Sequence, residues 1–222
     1  MAAASTQMVM PFASSTSYHA EDFIRGEANL AAHSLIERWP DWPYSLVVVH
    51  GPKSSGKTHL AHVFAQRTQA QFIPPSRIGQ ATADQLLAGH HAWVIDGLDA
   101  VKSEDALAQL INHARARGDY VLMTANTAPS QLPFSLNDLK SRLTALPEVA
   151  LGAPDDALLT GVLAKAFVDR QLRVSPDLLH YAVARLERSF EAVHQFASDV
   201  DAASLASGRG VTLPLMRGVL RE

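Results

Sequence analysis

Residues Ser45 to Ala65 read SLVVVHGPKSSGKTHLAHVFA. Leu46 to Val49 is an unbroken apolar run rich in β-branched side chains, the pattern of a strand buried on both faces of a sheet. Gly51-Pro52-Lys53-Ser54-Ser55-Gly56-Lys57-Thr58 follows at once and fits G-x-x-x-x-G-K-[ST] at every fixed position. An apolar helix face then begins at Leu60, Ala61, Val63, Phe64 and Ala65. Strand, glycine loop and helix in that order form the context in which such a loop holds a polyphosphate. Its backbone N–H groups point inward, and the helix N-terminus adds positive partial charge. Lys57 is then the residue that reaches the β- and γ-phosphates, and the Thr58 hydroxyl is a ligand for Mg²⁺. The stretch predicts a nucleotide-binding protein of α/β class.

The rest of the composition narrows the class without adding chemistry. A chain of 222 residues with 47% hydrophobic and 18% charged content suits an α/β domain with a small second domain. A formal net charge of −3 gives no support for broad nucleic-acid binding. The absence of cysteine excludes disulfides and thiolate metal sites and fits a reducing compartment. The histidines show no ligand spacing; His59 and His62 share a helix face as a solvated or structural pair. No apolar run approaches the roughly 20 residues of a membrane span, and the N-terminus lacks the basic and apolar regions of a secretory signal. The expected location is the cytoplasm.

Along the chain, residues 1–20 are rich in Ala, Ser and Thr without helical or strand period, and read as a flexible arm. Within it lies Gln7-Met8-Val9-Met10-Pro11-Phe12, a compact apolar cluster. By composition it either docks into a partner's groove or folds onto its own domain. Ala20 to Trp39 is a loop entering a helix, ended by Pro40 and Pro43. Gln71 to Pro74 is a short strand, and Thr82 caps a short helix. Trp39, Trp42 and Pro43 are expected to close the core. Ala92 to Asp96 is a second buried strand ending in a carboxylate placed to hold Mg²⁺ through its water shell. Ser103 to Arg117 is a helix with acidic residues at its start, arginines at its end and Gly118 as its stop. Tyr120 to Thr124 is a third buried strand. Asn126, just beyond it, is placed to touch a γ-phosphate or an attacking water. Leu136 to Leu143 is a short amphipathic segment, and Glu148 to Leu151 a last strand. From Pro154 onward only helical patterns occur: Asp155–Gln171, Pro176–Arg188, Phe190–Ser207 and Leu213–Leu220. Strands alternating with helices and then helices alone predict a parallel-sheet nucleotide core with a helical lid.

These pieces resemble the DnaA/Hda branch of AAA+ ATPases over essentially the whole chain. The resemblance rests on Phe23-Ile24-x-Gly26-x-x-Asn29, the loop at 51–58, Asp96, Asn126, Leu139-Lys140-Ser141-Arg142-Leu143 and the helical lid. It implies a P-loop AAA+ α/β core over residues 21–153 and an all-α lid over 154–222. Ile24, Asn29 and the loop from Gly51 through His59 would bind ATP or ADP, with Mg²⁺ at Thr58 and Asp96. Asn126 would be the polar sensor of the γ-phosphate, and Arg142 an arginine finger acting in trans. The lid pattern ends with the chain at Glu222, before any helix-turn-helix of the kind that follows the lid in DnaA. Gln7, Met10 and Phe12 fit the Q-x-x-[LM]-x-F clamp-binding peptide of the Hda group, with Met8 and Pro11 inside the same cluster.

The implied function is negative regulation of chromosomal replication initiation. The arm would dock on the DNA polymerase III sliding clamp (β subunit), with DNA reached only through the loaded clamp. The core would contact the AAA+ domain of DnaA and stimulate hydrolysis of DnaA-bound ATP. Association with the replisome and nucleoid follows, as does a homo-oligomer as a possible assembly; no membrane is implied. Two departures from the branch point to weak or no intrinsic ATPase. Gly97 stands where many AAA+ enzymes carry a second acid, with Asp99 pointing elsewhere if the strand continues. Glu191 stands at the lid position that usually holds an arginine, and Arg188, one turn earlier, is not relied on to replace it. An autonomous AAA+ ATPase of helicase-loader type is the alternative. A small-molecule P-loop kinase would need a basic substrate-binding insertion, which is missing between the strands.

Overall fold

The computed structural model describes residues 23–42 and 44–220. The arm, including Gln7, Met8, Met10, Pro11 and Phe12, lies outside the described residues, as does Pro43. Five parallel strands, β1 (Leu46–His50), β2 (Gln71–Phe72), β3 (Ala92–Ile95), β4 (Tyr120–Ala125) and β5 (Glu148–Ala150), form one sheet in the order β2-β3-β4-β1-β5. Helix α1 (Leu30–Glu37) precedes β1, and α2 (Lys57–Thr68) follows the glycine loop. Helices α3 (Ala83–Leu86), α4 (Glu104–Arg117) and α5 (Asn137–Thr144) fall between the later strands.

The period-2 alternation of side chains divides the apolar strands between two cores. Leu46 and Val48 face one layer with Trp93, Ile95 and Met123, against Leu107, Leu110 and Ile111 of α4 and Leu139 and Leu143 of α5. Val47 and Val49 face the other with Val94 and Leu122, against Ile36 of α1 and Leu60, Val63 and Phe64 of α2. Trp42 belongs to this second layer, its ring stacked on Phe64 at 5.2 Å, and its indole N–H donates to the Leu35 carbonyl at 2.7 Å. Trp39 and Trp42 therefore close the core. Phe64 is fully buried; its truncation to alanine would cost about 3–5 kcal/mol.

Four lid helices follow: α6 (Asp156–Asp169), α7 (Pro176–Val183), α8 (Phe190–Ser207) and α9 (Leu213–Leu220). Their apolar faces make a third core around Leu163, Phe167, Val193, Phe196 and Met216. Asp155 and Ser189 accept backbone N–H bonds at the starts of α6 and α8, as short oxygen side chains do at N-caps. Helix α7 is shorter than its apolar pattern predicts. It stops at Val183, and Arg185 and Leu186 turn back to the Ala182 carbonyl while Leu186 still packs on the lid core. No helix among the described residues is long and apolar enough to cross a membrane.

Candidate functional site

Parallel pairing sets Val49 beside Thr124, His50 beside Ala125, and Ile95 beside Met123. The C-terminal ends of β1, β3 and β4 thus release Gly51, Asp96 and Asn126 into one crevice, where open α/β sheets bind ligands. Gly51 leaves β1 wedged against β5. A Cβ there would lie 2.4 Å from the Leu151 carbonyl oxygen. The Gly51 N–H donates to Ala125 at 3.2 Å, and the Leu151 N–H to His50 at 2.7 Å, so neither neighbour is free to retreat. The loop then curls over Lys57, whose Nζ donates to the carbonyls of Gly51 at 2.8 Å and Pro52 at 2.7 Å. Burial pulls the Lys57 pKa below its ordinary value, against the Asp99 and Asp96 carboxylates, which raise it.

Thr58 Oγ1 donates to one oxygen of Asp96 at 2.9 Å, and Thr124 Oγ1 to the other at 2.6 Å. Thr124 is buried and also accepts the Gly97 N–H at 2.8 Å. It sets the Asp96 carboxylate beside the Thr58 hydroxyl. A hydroxyl next to a carboxylate fits Mg²⁺, a hard cation that takes one or two protein oxygens and completes its shell with water and phosphate. Such a site needs no larger ligand cluster, and no group of three or more His, Asp or Glu in metal-binding proximity occurs among the described residues.

Strand β3 ends at Ile95, before Asp96, and Gly97 turns the chain at φ 93°. Asp99 therefore does not point elsewhere, as a continued strand would require. It lines the cleft and accepts the Asn126 N–H at 2.9 Å. Across the crevice, Asn29 is buried, accepts the Gly26 N–H at 3.0 Å and donates to the Ile24 carbonyl at 2.9 Å. This clip fixes the Phe23–Ile24 segment at the cleft's edge. His59 meets the Phe23 ring edge-on at 5.2 Å, and His62 packs on Phe72 at 4.6 Å, so the two histidines are structural neighbours of aromatic rings.

The lid supplies the remaining wall. Phe190 lies 3.3 Å from the Cβ position of Gly56, and its N–H donates to the Ser54 carbonyl at 3.4 Å. Glu191 accepts from Ser54 Oγ at 2.8 Å and lies 4.0 Å from Lys53 Nζ. A carboxylate in the first turn of α8 is favoured by the helix dipole, and here it also rests on the phosphate loop. Arg188 does not substitute for an arginine at that place. It pairs with Asp156 at 3.1 Å, and Asp156 stands in the first turn of α6. His194, one turn beyond Glu191, has its pKa lowered by burial and by the nearby Arg170 and His59 charges.

The cleft so enclosed has a volume of about 1040 Å³. It is lined by Ile24, Asn29, Lys53, Ser54, Gly56, Lys57, Thr58, His59, Asp96 and Asn126 among the residues the sequence singles out, with Phe190, His194 and Arg170 from the lid. Gly51 and Ser55 are buried beneath the loop and Pro52 is exposed beside it; none of the three lines the cleft. Arg142 is not in the cleft either. It sits on α5, its Nε donating to Asp138 at 2.7 Å and its Nη1 to Asn112 at 2.6 Å. The Asp138 bond raises its pKa further, and the guanidinium is permanently charged.

A family model described as "Hda, lid domain" matches residues 156–220. An uncharacterised protein of Haemophilus influenzae is 29% identical over 213 residues, covering 90% of this chain and 92% of that protein. The chromosomal replication initiator protein DnaA of Caulobacter sp. is 25% identical over 233 residues, with 90% of this chain and 48% of that protein covered. The chain thus spans about half the length of the DnaA relatives it matches. The crystal structure of domain III of the Thermotoga maritima replication initiation protein DnaA superposes with a TM-score of 0.81 at 15% identity, covering 93% of this chain and 97% of that one. That likeness is one of fold.

Proposed function

We propose that this chain, a DnaA-homologous AAA+ protein with an Hda-type lid, is a clamp-tethered negative regulator of replication initiation. It binds ATP or ADP with Mg²⁺ in the cleft of the phosphate loop. It docks on the sliding clamp through Gln7, Met10 and Phe12, and it stimulates hydrolysis of ATP held by a DnaA neighbour through Arg142.

The observation that carries this reading is the separation of Arg142 from the chain's own cleft. A cation fixed on α5, away from the phosphate loop of its own chain, is of use to a nucleotide held by another subunit. A guanidinium delivered in trans stabilises charge on the transferring phosphoryl, an effect of about 10³–10⁵-fold in other phosphoryl-transfer systems. Inside its own cleft the chain carries a carboxylate, Glu191, on the phosphate loop. That charge opposes accumulation of negative charge on a terminal phosphate. The bound nucleotide therefore chiefly sets the shape of this protein, while the hydrolysis it promotes takes place on DnaA. The protein acts in the cytoplasm at the replisome.

The test is DnaA–ATP hydrolysis with DNA-loaded clamp. The parent accelerates it; Arg142→Ala does not, and a variant with Gln7, Met10 and Phe12 changed to alanine loses both clamp binding and acceleration. Unchanged acceleration by Arg142→Ala would overturn the finger. One observation favours a second reading, an autonomous AAA+ ATPase: Asp99 reaches the cleft and so offers a second carboxylate despite Gly97. Robust turnover without DnaA, abolished by Lys57→Ala, would establish that reading instead.

A further inference from the structure

Arg142 is mounted on α4 as much as on its own helix. At the start of α5, the Glu104 carboxylate of α4 accepts the Ser135 N–H at 2.9 Å, the Ser135 hydroxyl at 3.0 Å and the Leu136 N–H at 2.6 Å. The Leu136 N–H is an orphan donor at the α5 N-terminus, and a charge from a neighbouring helix satisfies it together with the Ser135 donors just before the helix. Between the two helices, Leu107, Leu110 and Ile111 pack with Leu139 and Leu143 in one core. Two turns along α4 from Glu104, the Asn112 amide oxygen accepts Nη1 of Arg142 at 2.6 Å. Helix α5 is thus pinned to α4 at its first turn, along its buried face and at Arg142 itself.

An arginine has several soft torsions, and holding one rotamer costs side-chain entropy. Asp138 alone does not fix the guanidinium, because an exposed i,i+4 pair can form in more than one geometry and contributes little. A second anchor on a different, rigid helix restricts the plane of the group. The two anchors differ in kind: Asp138 is a charge that competes with a phosphoryl oxygen for the guanidinium, whereas Asn112 is neutral. Among the described residues the two bonds engage two of the five N–H donors of Arg142 and leave three for a ligand.

Resting on the reading of Arg142 as a finger in trans, we propose that Asn112 is a positioning residue. It holds the guanidinium in the orientation in which the remaining N–H groups meet the terminal phosphoryl of a nucleoside triphosphate bound by the neighbouring subunit. Preorganisation of this kind acts on the maximal rate and leaves the affinity for the partner unchanged, because the group contributes most where charge develops.

The test uses the full chain, DNA-loaded clamp and DnaA–ATP, with stimulated hydrolysis followed over a titration of this protein. Asn112→Ala is expected to lower the maximal stimulated rate about tenfold or more while the half-saturating concentration and the melting temperature stay at parental values. Asn112→Asp adds a second carboxylate to the guanidinium and lowers the maximal rate further; Asn112→Ser, which keeps an oxygen acceptor, recovers part of it. The double variant Asn112→Ala/Arg142→Ala is expected to match Arg142→Ala alone. Should Asn112→Ala be misfolded, the Asp and Ser variants carry the comparison at their own melting temperatures. If Arg142→Ala abolishes stimulation while folded Asn112 variants keep the parental maximal rate, the positioning role is overturned and the finger stands. If Arg142→Ala stimulates normally, the finger reading itself fails. A shift confined to half-saturation would make Asn112 a docking contact and overturn the proposal.

Discussion

Gly51→Ala tests whether the phosphate loop is placed by the close approach of β1 and β5. The added Cβ would fall 2.4 Å from the Leu151 carbonyl oxygen and 3.0 Å from the Leu151 Cβ. The oxygen contact is about 1 Å short of relaxed packing. Relief requires moving backbone. The Leu151 N–H ties β5 to His50 of β1, and the Gly51 N–H ties the end of β1 to Ala125 of β4, so the shift breaks or stretches sheet hydrogen bonds. Overpacking of this kind costs about 1–3 kcal/mol. For a domain of this size each kcal/mol lowers Tm by about 2–4 °C, so the variant should melt about 2–12 °C lower. The same displacement moves the carbonyl of residue 51, which holds Lys57 Nζ at 2.8 Å, and nucleotide affinity should fall with it. Thermal melts with and without ADP and Mg²⁺, beside direct nucleotide titration, read both effects. Gly97→Ala is the contrast: nothing lies within 4 Å of its Cβ, and φ of 93° alone sets the cost, of order 1–2 kcal/mol. A Gly51→Ala protein that melts within about 1 °C of the parent and binds ADP equally would refute the wedge.

Lys57→Ala should remove the stabilisation by ADP and Mg²⁺, which for the parent at a hundred times Kd is worth about 2.7 kcal/mol; an unchanged ligand-induced shift in Tm would take Lys57 out of the site. Glu191→Gln keeps an oxygen for the Ser54 hydroxyl and deletes the charge. The side chain is 67% exposed and its field is screened, so the ratio of triphosphate to diphosphate affinity should rise by a few-fold, about tenfold at most; a ratio that stays or falls would show that this carboxylate does not feel the terminal phosphate. Hydrogen bonds from Ser135 and Leu136 hold the Glu104 pKa below the ordinary carboxylate value. Its stabilisation is therefore complete above that ordinary value and is lost as pH falls through the depressed one. The Tm difference between the parent and Glu104→Gln should accordingly be widest near neutrality and close in acid, and a gap independent of pH would contradict the carboxylate's role.

What was legible in the sequence was local or periodic. The strand, glycine loop and helix of 45–65 lie in one continuous stretch, so pattern alone placed them, and the Thr82 and Gly118 helix boundaries follow from the chemistry of single residues. Thr124 was not legible. It reads as the last residue of a buried strand, and its role arises only because β3 and β4 pair in the register that sets it across from Asp96. The direction of Asp99 is open in the sequence for a related reason, since it depends on whether Gly97 continues the strand or turns it. The end of α7 escaped because apolar Leu186 keeps the helical period while its backbone has already left the helix.

The residue-type departures at Gly97 and Glu191 gain their meaning from where Arg142 lies. A chain built to hydrolyse its own nucleotide gains from a lid cation on the terminal phosphate, and here the lid places a carboxylate on the loop and ties Arg188 to Asp156 instead. The guanidinium of Arg142 on α5 lies outside the cleft and is held by α4 through Asn112. Were Glu191 exchanged for arginine, a cation would replace the carboxylate that rests on the phosphate loop, without altering α5. If intrinsic turnover then rose while stimulation of DnaA through Arg142 stayed constant, the two activities would be separable within one fold. If stimulation rose or fell in step with intrinsic turnover, the chain's own hydrolysis would be part of its action on DnaA, and a nucleotide that serves only to set its shape would no longer account for the site.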